Sequence, residues 1–132
     1  MILLDTHIWI WWVNGSPELS PAKAQILLSR QSDGLGVSII SCWEVAKLVE
    51  KGRLALAWPV DRWINQALAS PGICLLPLDP KLAVASTQLP QPFHNDPADQ
   101  IITATARELN CSLATNDTRI LSYTHVNLAW PQ

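Results

Sequence analysis

Short apolar runs alternate with helix-like runs along this chain, and an acid stands at each of four passages between them. Asp5 closes Met1-Ile-Leu-Leu. Glu44 lies just after Val37-Ser-Ile-Ile. Asp99 opens Ile101-Ile-Thr-Ala-Thr-Ala, and Asp117 follows Ser112-Leu-Ala-Thr. Strands that alternate with helices predict βαβ units, because two parallel strands need a crossover that a helix supplies. The strands are short and wholly apolar, which fits a mostly parallel sheet buried on both faces. In open sheets of this kind ligands bind beyond the carboxyl ends of the strands. The four acids are predicted to meet at that edge.

The predicted elements follow from local chemistry. Ile2 to Leu4 is a strand. His7 to Val13 is a helix stopped by Asn14-Gly15-Ser16-Pro17. Ser20-Pro21 starts the next helix, with serine as cap and proline in the first turn, and it runs to about Gln31. Val37 to Ile40 is the second strand. Ser41-Cys-Trp-Glu44 has capping-box spacing and opens a helix to Lys51-Gly52. Val60 to Ala69 is a helix and Ile73 to Leu76 a strand. Asp79-Pro80 starts a short helix. Asp96-Pro97 opens a helix to about Asn110. Ser112 to Ala114 is the fourth strand, and Val126 to Leu128 is a candidate edge strand. The expected architecture is a three-layer α/β sandwich with four to five strands, one domain over residues 1–132.

Each acid has an ordinary structural reading. Asp5 and Asp117 serve as helix caps, Glu44 completes the capping box, and Asp96 caps a helix with Asp99 in its first turn, where the dipole favours acids. Ser, Thr or Asn would cap equally well, yet an acid stands at all four junctions. Gathered like charges are costly unless a cation neutralises them. An all-oxygen site suits Mg²⁺ or Mn²⁺. The pattern predicts a metal-dependent hydrolase, with metal held by Asp5, Asp99 and Asp117 and Glu44 completing the cluster through a water or a second metal.

Composition bounds this reading. Hydrophobic residues make up 48% of the 132, enough for a full core, and the net charge is −2. That charge argues against coating of nucleic acid by bulk attraction. It leaves a nuclease open, since a bound divalent ion reverses the local sign. Cys42, Cys74 and Cys111 form no CxxC pair and sit in apolar runs, so reduced core thiols and a cytoplasmic location are expected. Met1 to Val13 is too short to span a membrane. Seven tryptophans are expected in the core and on a partner surface around Trp9, Trp11, Trp12 and Trp58. Trp11 and Trp12, adjacent on one helix, are not expected to share one face.

At this point the chain resembles a known family. Met1-Ile-Leu-Leu-Asp-Thr-His-Ile, Val37-Ser-Ile-Ile-Ser-Cys-Trp-Glu-Val-Ala-Lys47, His94-Asn-Asp-Pro-Ala-Asp-Gln-Ile-Ile-Thr-Ala-Thr-Ala106 and Leu113-Ala-Thr-Asn-Asp117 are similar, in order, to the motifs of PIN-domain proteins. The nearest likeness is to the VapC-like toxin group with an HxDPxDR-type segment. The resemblance implies a Rossmann-like PIN fold, a Mg²⁺- or Mn²⁺-dependent endoribonuclease, and the toxin of a type II toxin–antitoxin pair. It implies a cognate antitoxin and an RNA substrate as partners, and a homodimer is expected. It carries the family's four acids onto Asp5, Glu44, Asp99 and Asp117. Asp99, rather than Asp96, directly precedes the Ile-x-Ala-x-Ala helix. Gln100 stands where this group has Arg.

Around these acids, Thr6 and Thr115 are expected to hold a carboxylate or a bound water, and Asp96 to cap its helix while adding negative potential. His7 and His94 are expected in hydrogen bonds or phosphate contacts rather than as metal ligands. Lys47, three residues after Glu44, is placed to pair with it or to meet a phosphate. Arg53, Arg62, Arg107 and Arg119 read as solvated charges. A non-catalytic PIN-like module that binds protein or RNA is the competing function, and failure to bind metal would mark it. An aspartate-phosphatase is disfavoured because Asp5-Thr6-His7 is not an Asp-x-Asp pair.

Overall fold

A computed structural model describes residues 1–131, so the final position of the expected 1–132 domain lies outside the described residues. The elements are β1 (Ile2–Leu4), α1 (Thr6–Asn14), α2 (Pro21–Arg30), a 3₁₀ turn (Gln31–Asp33), β2 (Leu35–Ser38) and α3 (Ile39–Glu50). Then come α4 (Val60–Leu68), β3 (Ile73–Leu76), α5 (Pro80–Ala85), α6 (Pro97–Glu108), β4 (Ser112–Ala114) and α7 (Thr118–Leu121). The sheet order is β3-β2-β1-β4, and every pairing is parallel. All four strands therefore end at one edge. This is the α/β sandwich expected from the alternation.

The sheet divides the core in two. Ile2 and Leu4 face one side, with Ile8, Trp9, Leu27, Val45 and Trp63 from α1 to α4. Leu3 faces the other, with Ile102 and Ala106 of α6, Leu113, and Ile120 of α7. Opposite faces for successive residues follow from the pleat. β1 and β2 are wholly buried, whereas β3 leaves Cys74 and Leu75 exposed. Edge position explains the difference, and it corrects the expectation of three core thiols. Among the described residues all three cysteines are free, Cys111 is buried and Cys42 is half-buried.

The second junction is shifted from its expected place. The strand ends at Ser38, two residues early, and Ser38 caps α3 by accepting from the Ile40 amide. Ile39 and Ile40 read as strand because they are β-branched, yet a serine able to cap stops the strand before them. Ser41 and Glu44 therefore form no capping box. Ser41 lies buried inside the helix. The last expected strand reduces to a single bridge between Leu113 and Leu128.

The tryptophans also sort differently. Trp9 is fully buried and meets Trp63 edge-on at 5.1 Å, so neither belongs to a surface. Trp11 and Trp12 are both half-buried against the same core. The exposed indoles are Trp43 and Trp58.

Candidate active site

Each acid reaches the carboxyl edge by a local rule. Asp5 ends β1 and caps α1, its Oδ1 accepting from the Thr6 amide at 2.8 Å. Asp96 caps α6 by accepting from the Asp99 amide, which places Asp99 in the first turn. Asp117 follows β4 and caps α7. Glu44, like Asp99, caps nothing; it projects from the second turn of α3. These side chains line one cavity of about 220 Å³ together with Thr6, His7, Leu48 and Arg119.

A frame of hydrogen bonds fixes the carboxylates. Thr115 Oγ1 donates to Asp5 Oδ2 at 2.7 Å and accepts from the Asp117 amide at 3.0 Å. One buried hydroxyl thus ties two of the acids together. Thr6 Oγ1 donates to Glu44 Oε1 and lies 2.8 Å from Ser41 Oγ. A hydroxyl has one proton, so Ser41 must be the donor to Thr6. The relay runs from Ser41 through Thr6 to Glu44. Thr6 and Thr115 therefore sit where a carboxylate-holding role requires them.

The histidines make hydrogen bonds. His94 Nε2 lies 2.6 Å from Asp99 Oδ2 and donates to it. Gln100 Nε2 in turn donates to the His94 carbonyl at 3.0 Å. The residue standing in place of Arg thus steadies the loop that carries His94. His7 Nε2 accepts from the Asn116 amide at 3.0 Å, which places its proton on Nδ1, 3.6 Å from Asp5.

Arg119 is the feature the sequence did not disclose. Its Nη2 reaches Asp117 Oδ2 at 2.9 Å and Asp99 Oδ2 at 3.3 Å, and its Nε reaches Asp117 Oδ1 at 3.2 Å. Among the described residues it is the one Lys or Arg lining this cavity. Its only signal in sequence is its place two residues beyond a capping acid. Lys47 goes elsewhere: it pairs with Glu50 at 2.9 Å, not with Glu44.

The electrostatics follow from burial, from these hydrogen bonds and from the neighbouring acids. Burial pushes the Glu44 carboxyl up to about 7, and Asp5, Asp99 and Asp96 add to the rise while the Thr6 hydroxyl opposes it. Burial likewise raises Asp99, aided by Asp5, Asp96 and Asp117 and opposed by His94. Asp117 is held below the usual carboxylate range, chiefly by its hydrogen bond from Arg119. Two raised acids beside a third are what burial produces first, and the like charges of the cluster second.

The donor set fits a hard divalent cation. Ligand atoms of His94, Asp99 and Asp117 all lie within 4.8 Å of one another. Asp5 and Glu44 line the same cavity outside this tight trio. His94 Nε2 is already committed to Asp99, so the ligands the cavity offers an ion are chiefly carboxylate oxygens, the donors Mg²⁺ and Mn²⁺ favour.

A parallel α/β sheet with helices on both faces and acids along its carboxyl edge defines a Rossmann-like protein. Within that class the chain belongs to the PIN-domain family, whose pattern matches residues 2–126. The chain is 37% identical over 124 residues to Ribonuclease VapC22 of Mycobacterium tuberculosis, covering 94% of this chain and 92% of that one. Its fold is similar to that of VapBC2 from Rickettsia felis bound to a promoter DNA fragment, with TM-score 0.70, 18% identity and 97% of both chains covered. It is also similar to a toxin–antitoxin complex from Klebsiella pneumoniae, with TM-score 0.69, 21% identity and 100% of both chains covered.

Proposed function

We propose that this protein is a metal-dependent endoribonuclease, the toxin of a type II toxin–antitoxin pair, acting in the cytoplasm as one PIN domain over residues 1–132. The observation that carries this is the convergence of Asp5, Glu44, Asp99 and Asp117 on one cavity at the sheet edge, in a chain similar to a protein named as a ribonuclease. Asp5, Asp99 and Asp117 would hold Mg²⁺ or Mn²⁺, with Glu44 joining through water. When bound, the ion supplies Lewis-acid stabilisation of phosphate charge and activation of the attacking water. Thr115 keeps Asp5 and Asp117 in register, and His94 fixes the rotamer of Asp99. Arg119, with a side chain 56% exposed, is free to yield both acids to the ion. The partners are RNA, a cognate antitoxin and a second copy of the chain. Among the described residues no helix is long and apolar enough to cross a membrane.

The test is cleavage of RNA with Mg²⁺ or Mn²⁺. Residues that merely orient metal ligands cost roughly 10–100-fold when removed. Asp5→Asn and Asp99→Asn should each exceed that while melting cooperatively. Asp96→Asn should be mild, because Asn also caps a helix. Full activity in Asp99→Asn would overturn the site. A wild-type chain that binds neither ion would leave a non-catalytic PIN-like module as the function.

A further inference from the structure

A cavity larger than the one the acids line lies beside it. It measures about 560 Å³ and runs between α3 and the start of α6. Glu44, Leu48 and Asp96 line both cavities, so the groove opens directly into the acid site. Away from the acids its walls change character. Trp43 stands 55% exposed on α3, and Leu48, Pro97 and Ala98 add an apolar floor. Lys51 and Arg53 close the far end.

Charge and shape select the occupant. The chain carries nine Lys plus Arg, and three of them, Lys47, Lys51 and Arg53, line this one groove. Lys47 is spent on Glu50 and lies 5.9 Å from the centre of the Trp43 ring. Among the described residues Lys51 and Arg53 form no ion pair. Lys51, the residue that ends α3, stands seven residues beyond Glu44, about 10 Å along the helix axis. An exposed indole in one groove with two unpaired cations further along it is a combination that binds single-stranded nucleic acid: the ring stacks a base and the cations follow the backbone.

We infer that this groove is the track for a single-stranded RNA substrate, with Trp43 as stacking platform and Lys51 and Arg53 as phosphate contacts leading to the acids. This deepens the ribonuclease reading and rests on it for the chemistry at the track's end. A duplex lacks the unstacked base that Trp43 requires, so the track selects single strands. The track also gives a chain of net charge −2 a local means of holding a polyanion before any metal contact is made.

The experiment measures binding of a labelled single-stranded oligoribonucleotide in EDTA by fluorescence anisotropy, then cleavage with Mn²⁺. Trp43→Ala should weaken binding roughly 5- to 150-fold, with Trp43→Phe recovering much of the loss. Lys51→Gln/Arg53→Gln should lower the slope of log affinity against log salt by about 1.4. Trp58→Ala, an exposed indole elsewhere, should change neither. In cleavage, the groove variants should raise KM more than they lower kcat. A wild-type chain that cleaves RNA, with KM and salt slope unmoved by Trp43→Ala and the double variant, overturns the track alone. A wild-type chain that binds single strands with these sensitivities but cleaves nothing supports the track and removes the nuclease reading. Groove variants that lose the antitoxin while keeping RNA overturn the track and assign the groove to a protein.

Discussion

Glu44 is the residue whose setting has the plainest thermodynamic consequence. Its folded carboxyl titrates at about 7, against an ordinary value of 4.5. Between those pH values the folded chain holds a proton that the unfolded chain has lost. Stability from this group is therefore greatest at low pH, declines as pH rises through that window, and is lost above about 7. Asp99, also raised, acts in the same direction. The metal-free protein should show a melting temperature that rises as pH falls from 8 toward 5.5, and Glu44→Gln should flatten the slope. Metal competes with that proton, so stabilisation by Mn²⁺ should shrink over the same descent. A slope unaltered by Glu44→Gln would refute the assignment. Thr115 supplies a second case. Thr115→Val removes the hydroxyl that joins Asp5 to the Asp117 amide, and cleavage should fall roughly 10–100-fold. Wild-type kinetics in that variant would sink the bridging role.

Elements were legible in the sequence where chemistry was local, and obscure where two local rules competed. Ser20-Pro21, Asp79-Pro80 and Asp96-Pro97 each begin a helix at the predicted point, because a capping side chain and a fixed proline φ agree. At Ser38 they disagree, since Ile39 and Ile40 favour strand while the serine caps, and the chain follows the cap into helix. The four acids could be placed at the sheet edge from order alone. Their hydrogen-bond partners could not, apart from Thr6 and Thr115, which adjoin them in sequence. Lys47 had two acids at equal spacing, and only the inward turn of Glu44 toward Thr6 decides for Glu50. Gly72, immediately before β3, is constrained more tightly than a turn requires. It has φ +81°, and a Cβ there would meet the Gln31 carbonyl oxygen at 2.5 Å. Gly72→Ala should cost at least about 1–3 kcal/mol from backbone strain. The check is the urea midpoint at constant m; an unshifted midpoint would contradict it.

At the scale of the whole molecule, the acid cluster predicts that divalent ions stabilise the fold by mass action, about 2.7 kcal/mol at a hundredfold excess over Kd. Melting curves in millimolar Mg²⁺ or Mn²⁺ should move upward beyond the effect of matched Na⁺, and Asp99→Asn should abolish the difference. Unchanged curves would remove the metal site. The pairing of the sheet adds a matter of timing. β1 lies between β2 and β4, and the bond that seats Asp5 comes from Thr115, 110 positions later. At about 5–20 residues per second of synthesis, that interval lasts roughly 5–20 s. Asp117 is made later still. Chains ending before β4 should therefore neither bind Mn²⁺ nor cut RNA. A half-made copy thus carries Asp5 and Glu44 without the partners that complete the site, and the cavity assembles only once β4 and Asp117 have been added.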